Sequence, residues 1–238
     1  MENIMQVNSL KLDCLRPLGK WRIMDLISLQ EAHKDQYSYW HLHKMVSRLE
    51  KAKVIQSFKD PWTKRKVIYL EGLGRGLLGV EKAGAINQET LLHDLKVSQI
   101  AQSLLRGGVF TDVHLEHELS KKLFLSGELS PDAILNGLKN GKRFSMALEL
   151  ELTRKANERI ITKAKHYLNA SHINYVLYLF CSQNLFESYK KVFDEGLPDI
   201  WNSKLMLFVN KSLMSKNFDI NSAVGVFDKQ EVHFDEIF

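Results

Sequence analysis

Cysteine is scarce in this 238-residue chain: Cys14 and Cys181 lie far apart and are the only two. They suit reduced thiols in a cytosolic protein rather than a disulfide scaffold. Cys181 closes an apolar run and is expected to be a small core residue. No apolar run approaches the roughly 18 residues of a membrane span, so no membrane partner is expected. The opening Met1-Glu2-Asn3-Ile4-Met5-Gln6 has no basic segment ahead of an apolar one. No secretory leader is therefore expected, and the reading is cytoplasmic. Gly72, Gly74 and Gly76 miss the G-x-G-x-x-G spacing and follow a hairpin, which argues against a dinucleotide site. His114 and His117, beside Glu116 and Glu118, lack the cysteine or third histidine that would complete a zinc site. His41 and His43, two apart on a helix, point to different faces.

What is present fits a soluble globular chain, with 45% hydrophobic and 26% charged residues. One large domain or two small ones are both compatible with the length. The net charge of +5 is uneven. Residues 1–85 hold fifteen Lys and Arg against nine Asp and Glu, and the remainder holds eighteen against nineteen. That asymmetry points to a polyanion partner for the first third.

Within that third, Gly19 to Ala32 carries apolar residues compatible with a short helix, from Trp21 to Leu29. Ser38 to Lys53 reads as a second helix, with Trp40, Leu42, Met45, Val46 and Leu49 on one face. Two apolar runs, 54–58 and 65–70, flank the turn Lys59-Asp60-Pro61-Trp62-Thr63-Lys64 and read as a hairpin. Helices followed by a basic hairpin are the winged form of helix-turn-helix. In that form the second helix enters the major groove and the hairpin tip lies along the phosphates. Lys44, Arg48 and Lys51 share a helix face, and Lys64, Arg65 and Lys66 charge the wing. Together they predict binding of double-stranded DNA by a domain spanning residues 1–85.

Residues 83–88 read as a linking segment, and Glu89–Arg106 as an amphipathic helix stopped by Gly107-Gly108. A strand is expected over 109–113, and helical character over 114–119, which would bring Glu118 near the following sheet. Asp132–Leu135 opens a strand, Asn140-Gly141 signals a tight turn, and residues 144–153 alternate. Phe144, Met146, Leu148, Leu150 and Leu152 share one face of that strand; Ser145, Ala147, Glu149, Glu151 and Thr153 share the other. Two carboxylates two residues apart on one face repel unless a hard cation such as Mg²⁺ or Mn²⁺ lies between them. With Asp132 on the preceding strand, the pattern sketches a metal-binding sheet edge. A helix over 156–170, a strand over 173–180, a helix over 185–196 and a strand over 204–209 complete a mixed sheet. Its strand 173–180 is nearly all apolar, as a strand covered on both faces would be. The fold class expected is thus α/β (α+β overall), with a mixed-sheet domain over residues 86–216. Residues 217–238 have little periodicity and read as a tail, disordered or docking to a partner.

The order Pro131-Asp132, then Glu149-x-Glu151, then a lysine-bearing helix resembles the PD-(D/E)XK restriction-endonuclease-like core. More specifically, the chain resembles the replication-relaxation family of plasmids and other mobile elements. The matching pieces are the winged helix, His93-Asp94-Leu95, His117-Glu118-Leu119, Pro131-Asp132-Ala133, Leu148-Glu149-Leu150-Glu151 and the helix from Lys163 to Tyr167. The resemblance covers roughly residues 20–182. It implies DNA binding in plasmid replication, relaxation or mobilisation, with a relaxase, transposition or replication protein as partner. It also implies metal-assisted phosphodiester chemistry in which Asp132 and Glu149, joined by Glu151, hold Mg²⁺. The chain departs from the nuclease pattern at Glu151, where that pattern has lysine; Lys155 and Lys163 are the two candidates to replace it. Glu118 joins the candidate catalytic set through its motif. Three functions follow: a DNA-binding accessory protein, an active endonuclease, or a transcriptional regulator whose C-terminal domain senses a ligand or forms a homodimer.

Overall fold

The computed structural model describes residues 12–80, 86–119, 130–198 and 201–238, and the chain is mixed α/β with two sheets. It divides into two compact units, residues 1–98 and 99–238, rather than at residue 85. Part of the expected linking segment lies outside the described residues. Among the described residues no helix is long and apolar enough to cross a membrane.

The first unit contains α1 (Arg16–Trp21), β1 (Ile23–Asp25), α2 (Leu26–Glu31), α3 (Tyr39–Lys51), β2 (Ile55–Lys59), β3 (Lys66–Leu70), α4 (Gly72–Leu78) and the first half of α5 (Leu91–Arg106). The single helix expected over residues 19–32 is two helices with a strand between them. Arg22 adopts φ 60°, which ends α1, and Ile23–Asp25 then pair antiparallel with Val67–Tyr69. Asp25 opens α2 as its N-cap, its Oδ1 accepting from the Ile27 and Ser28 amides at 3.0 Å. The helix α3 and the β2–β3 hairpin stand where the sequence placed them, giving the sheet order β1-β3-β2. Its two faces bury different cores. Met24, Ile68 and Leu70 join Leu18, Leu29, Leu42, Met45 and Leu49 on one side. Ile23, Val67 and Tyr69 meet Leu91 and Leu95 of α5 on the other. That second contact assigns the start of α5 to this unit.

The second unit is a seven-stranded sheet in the order β10-β9-β8-β7-β6-β5-β4, built from β4 (Phe110–Leu115), β5 (Ala133–Lys139), β6 (Lys142–Glu151), β7 (Tyr175–Phe180), β8 (Leu205–Val209), β9 (Val224–Phe227) and β10 (Gln230–His233). The strands β6, β7 and β8 run parallel, joined through α6 (Asn157–Asn169) and α7 (Gln183–Gly196); the remaining neighbours are antiparallel. Asn140 and Gly141, at φ 50° and 75°, form the tight turn between β5 and β6. Residues 114–119 contribute the end of β4 and one 3₁₀ turn, Glu116–Glu118, rather than a helix. The strand β7 is covered on both faces, as its apolar run requires.

Two expectations change here. Residues 217–238 are not a detached tail: β9 and β10 extend the sheet, and Phe234 packs at 3% exposure against Phe208. Phe238 stacks on Phe144 with centroids 5.4 Å apart, and Lys139 donates to the Ile237 carbonyl. Gly225 permits this addition, because a Cβ there would meet the Leu207 carbonyl oxygen at 1.9 Å. The segment lacks a hydrophobic period because its strands are four residues each and sit at the sheet end. Cys14 is the deeply buried thiol, with its pKa pushed up to about 12 by burial, while Cys181 is half-buried.

Phe234→Ala should therefore cost about 3–5 kcal/mol of stability, the usual penalty for emptying a buried aromatic site. Urea denaturation followed by circular dichroism measures it, and a loss below about 1 kcal/mol would return the segment to a dispensable tail.

Candidate functional site: a buried acid, lysine and tyrosine cluster

Alternation along β6 sends Ala147, Glu149 and Glu151 to one face, as the sequence indicated. That face is not an edge. In register it continues through Val176, Tyr178 and Phe180 of β7 and Leu205, Leu207 and Val209 of β8. Ile160, Ala164 and Tyr167 of α6, and Phe186, Tyr189 and Phe193 of α7, complete the same core. The carboxylates thus lie near the carboxyl end of an interior strand, with Glu149 only 2% and Glu151 7% exposed.

Burying Glu149 demands partners, and α6 supplies two. Lys163 donates from Nζ to Glu149 Oε2 at 2.6 Å, and the Tyr167 hydroxyl donates to Oε1. Lys163 and Tyr167 are four residues apart, so one face of α6 presents both. Asp132, immediately before β5, turns its carboxylate across the β5–β6 ladder. Its Oδ2 accepts from the Leu150 amide at 2.7 Å, and its own amide donates to the Leu148 carbonyl at 3.1 Å. The aspartate is therefore clamped beside the strand segment that carries both glutamates.

Burial dominates the electrostatics. It pushes the Glu149 carboxyl up to about 8 against the pull of Lys163, and the Asp132 charge adds to the rise. Glu151 also rises, again through burial first, with Asp132 opposing its ionisation and Tyr189, Lys155 and Lys163 favouring it. Lys163 moves above its ordinary value, because the Glu149 and Asp132 charges outweigh the cost of burying an ammonium. Tyr167, Tyr178 and Tyr189 all rise, so these phenols stay protonated. Two buried oxygens, Glu151 Oε2 and the Tyr178 hydroxyl, have no hydrogen-bond partner. The Tyr189 hydroxyl is coupled electrostatically to Glu151 without a well-formed hydrogen bond.

Of the six residues expected to carry chemistry, Asp132, Glu149, Glu151 and Lys163 form one electrostatically coupled group. Lys155 does not continue the strand: it is exposed in the loop between β6 and α6 and reaches Glu151 only through its charge. Glu118 takes a local role, its Oε2 accepting from the Leu115 amide at 2.9 Å to cap the 3₁₀ turn. The sequence reading passed over Tyr178 and Tyr189. Tyr178 stood inside an apolar run, where only the β6–β7 register places it opposite Glu149. Tyr189 is covered from outside by Arg154, 5.3 Å from its ring centroid and bonded to Ser188 at 2.6 Å.

Among the described residues no set of three or more His, Cys, Asp or Glu side chains already converges on one ion. Asp132, Glu149 and Glu151 offer oxygen donors alone, the kind a hard divalent cation takes, while Lys163 and Tyr167 already engage both Glu149 oxygens.

The first unit presents a different surface. Lys44, Arg48 and Lys51 are exposed on α3, with the Lys44 ammonium 3.3 Å above the Trp40 ring. The β2–β3 turn is less free than its composition suggests. Lys66 pairs with Glu50 at 2.5 Å, and Arg65 lies 3.7 Å from buried Asp25. Lys64 is exposed at the tip and donates to the Pro61 carbonyl at 2.5 Å.

Fold and sites together define a two-unit mixed α/β protein: a helix-and-hairpin unit with a basic helix face, and a mixed-sheet unit holding a buried acid–lysine–tyrosine cluster. Comparison with protein-family models, curated proteins and solved structures finds no match to the chain.

The raised Glu149 carboxyl carries a pH signature. Its pKa is about 8 in the folded protein against an ordinary value of 4.5. A carboxyl raised on folding supports stability fully below its unfolded pKa and loses that support as pH climbs through the folded one. Relative to Glu149→Gln, the wild type should lose thermal stability progressively between the ordinary value and pH 8. Parallel melting curves for the two proteins across that window would show that the Glu149 carboxyl is not raised on folding.

Proposed function

We propose that this chain is a DNA-binding accessory protein of a mobile genetic element, acting in plasmid replication, relaxation or mobilisation. Its first unit grips double-stranded DNA, and its second is a nuclease-like domain that acts on or grips adjacent DNA with Mg²⁺ or Mn²⁺. One observation carries the reading: Lys163 reaches Glu149 within 2.6 Å, beside Asp132 and Glu151. The lysine absent from position 151 is thus supplied by the next helix, in contact with the acids it would assist. The N-terminal helix order, the exposed Lys44, Arg48 and Lys51, and the basic balance of residues 1–85 support duplex binding.

Asp132, Glu149 and Glu151 would hold the divalent ion. A divalent ion held there would supply polarisation of a scissile phosphate and a lowered pKa for an attacking water. Lys163 keeps a positive charge at Glu149 and is placed to meet the negative charge that develops on the phosphate. Tyr167 orients Glu149 through its other oxygen. The buried wall of Tyr178 and Tyr189 excludes bulk water from the inner side of the acids, which strengthens every charge interaction there. A relaxase, transposition or replication protein would be the protein partner, in the cytoplasm.

A second reading has its own observation. Lys163 and Tyr167 already satisfy both Glu149 oxygens, an arrangement that also suits a retired active site. The chain would then be a non-catalytic winged-helix regulator that acts as a homodimer or senses a ligand.

Incubation with supercoiled plasmid and Mg²⁺ or Mn²⁺ separates the two. Cleavage by the wild type should fall on the order of a hundredfold or more in Glu149→Ala and Asp132→Ala, with DNA binding retained. Loss of nicking in Lys163→Ala but not in Lys155→Ala would assign the lysine. No nicking by a wild type that binds DNA would favour the regulator. For the first unit, Arg48→Ala should weaken duplex binding and reduce the slope of log affinity against log salt by about one. An unchanged affinity and slope would remove α3 from the DNA interface.

A further inference from the structure

Hairpin tips are ordinarily polar, and the β2–β3 tip sets an exposed proline and tryptophan among its polar residues. Pro61 is exposed, and Trp62 shows 48% of its surface. Beneath them the turn is braced by side chains withdrawn from water. Asp60, 1% exposed, accepts from the Trp62 amide at 2.9 Å through Oδ1 and from the Thr63 hydroxyl at 2.6 Å through Oδ2. Thr63, also buried, accepts from the Arg65 amide at 3.3 Å. Two backbone bonds close the turn, Asp60 amide to Arg65 carbonyl and Lys64 amide to Asp60 carbonyl, each 2.9 Å. Lys64 takes φ 59° to reverse the chain. Lys96 of α5, itself 1% exposed, stands 3.9 Å from Asp60 Oδ2.

Burying a lysine beside an aspartate costs more desolvation than an apolar pair of the same size would. Its effect here is a braced turn backbone from which Pro61 and the exposed half of Trp62 are presented. Cations frame that apolar point: Lys64 is exposed within the turn, and Lys59 is exposed at its base, opposite Lys66 in the ladder. An apolar point between positive charges suits a partner that is a polyanion outside and a stack of planar apolar rings inside. Duplex DNA has that chemistry. Proteins that bend it insert apolar side chains between base steps while basic residues hold the flanking phosphates.

We propose that Pro61 and Trp62 form a rigid wedge that enters a groove of duplex DNA and bends it, with Lys59 and Lys64 seated on the adjacent phosphates. This rests on the duplex-binding reading above and goes beyond it, since a wing that only lies along the backbone would leave the helix straight.

Energy transfer between dyes on the two ends of an about 30-base-pair duplex, at low salt where electrostatic binding is strongest, reads the bend directly. The full chain should shorten the end-to-end distance. Trp62→Ala should abolish most of that shortening at saturating protein, while Trp62→Phe should retain part of it. Arg48→Ala should raise the protein concentration needed and leave the bend at saturation. Trp62 is half-buried, so Trp62→Ala should lower the thermal midpoint modestly; a cooperative melt above the assay temperature and duplex binding retained at saturation separate loss of the wedge from loss of the fold. Full bending by Trp62→Ala, or a wild type that binds without bending, overturns the wedge alone. A wild type that binds no duplex overturns the wedge and the duplex-binding reading together.

Discussion

Placing a carboxylate beneath two helices is costly in proportion to how completely water is removed, and Glu149 is almost entirely removed from it. The surroundings of the mixed sheet are arranged around that cost. The helix α6 must lie where Lys163 and Tyr167 can both reach Glu149, and Asp132 must be clamped at the Leu150 amide so that its carboxylate keeps a set position. Two tyrosines from β7 and α7 then close the inner wall. An apolar residue at position 149 would satisfy the same core without any of these contacts.

The first unit rests on a parallel device with a different purpose. Asp25 and Asp60 are both buried at 1% exposure and are approached by Arg65 and Lys96 respectively. One caps α2, and the other braces the turn of the hairpin. Residues that look in sequence like a basic wing are divided between fold and surface: Arg65 and Lys66 answer acids of the unit itself, while Lys64 stays exposed at the tip. In both units, then, charge is invested in orientation. It holds side chains in place more than it adds net stability.

Much of this was legible in the chain. Period-two alternation over residues 144–151 assigned Glu149 and Glu151 to one face of a strand, and the register upholds it. Asn140-Gly141 marked its turn because that pair tolerates positive φ at both positions. The spacing of Leu42, Met45, Val46 and Leu49 defined α3 and left Lys44, Arg48 and Lys51 outside. These are local facts, set by backbone geometry and hydrophobic period, and the residues themselves determined them.

What only the tertiary structure decided is how distant segments meet. Strand pairing turned residues 23–25 into β1, because β3 offered an edge that a short apolar helix pattern could not announce. Packing of α6 over the sheet chose Lys163 over Lys155 as the acids' hydrogen-bond partner, a choice that spacing along the chain cannot make. The same sheet gathered residues 224–233 as its last two strands, although four-residue strands carry too short a period to be read alone. It also set Tyr178 opposite Glu149. Sequence determines which face a side chain takes within its own element; which residues cover that face depends on long-range pairing, whose register no local pattern encodes.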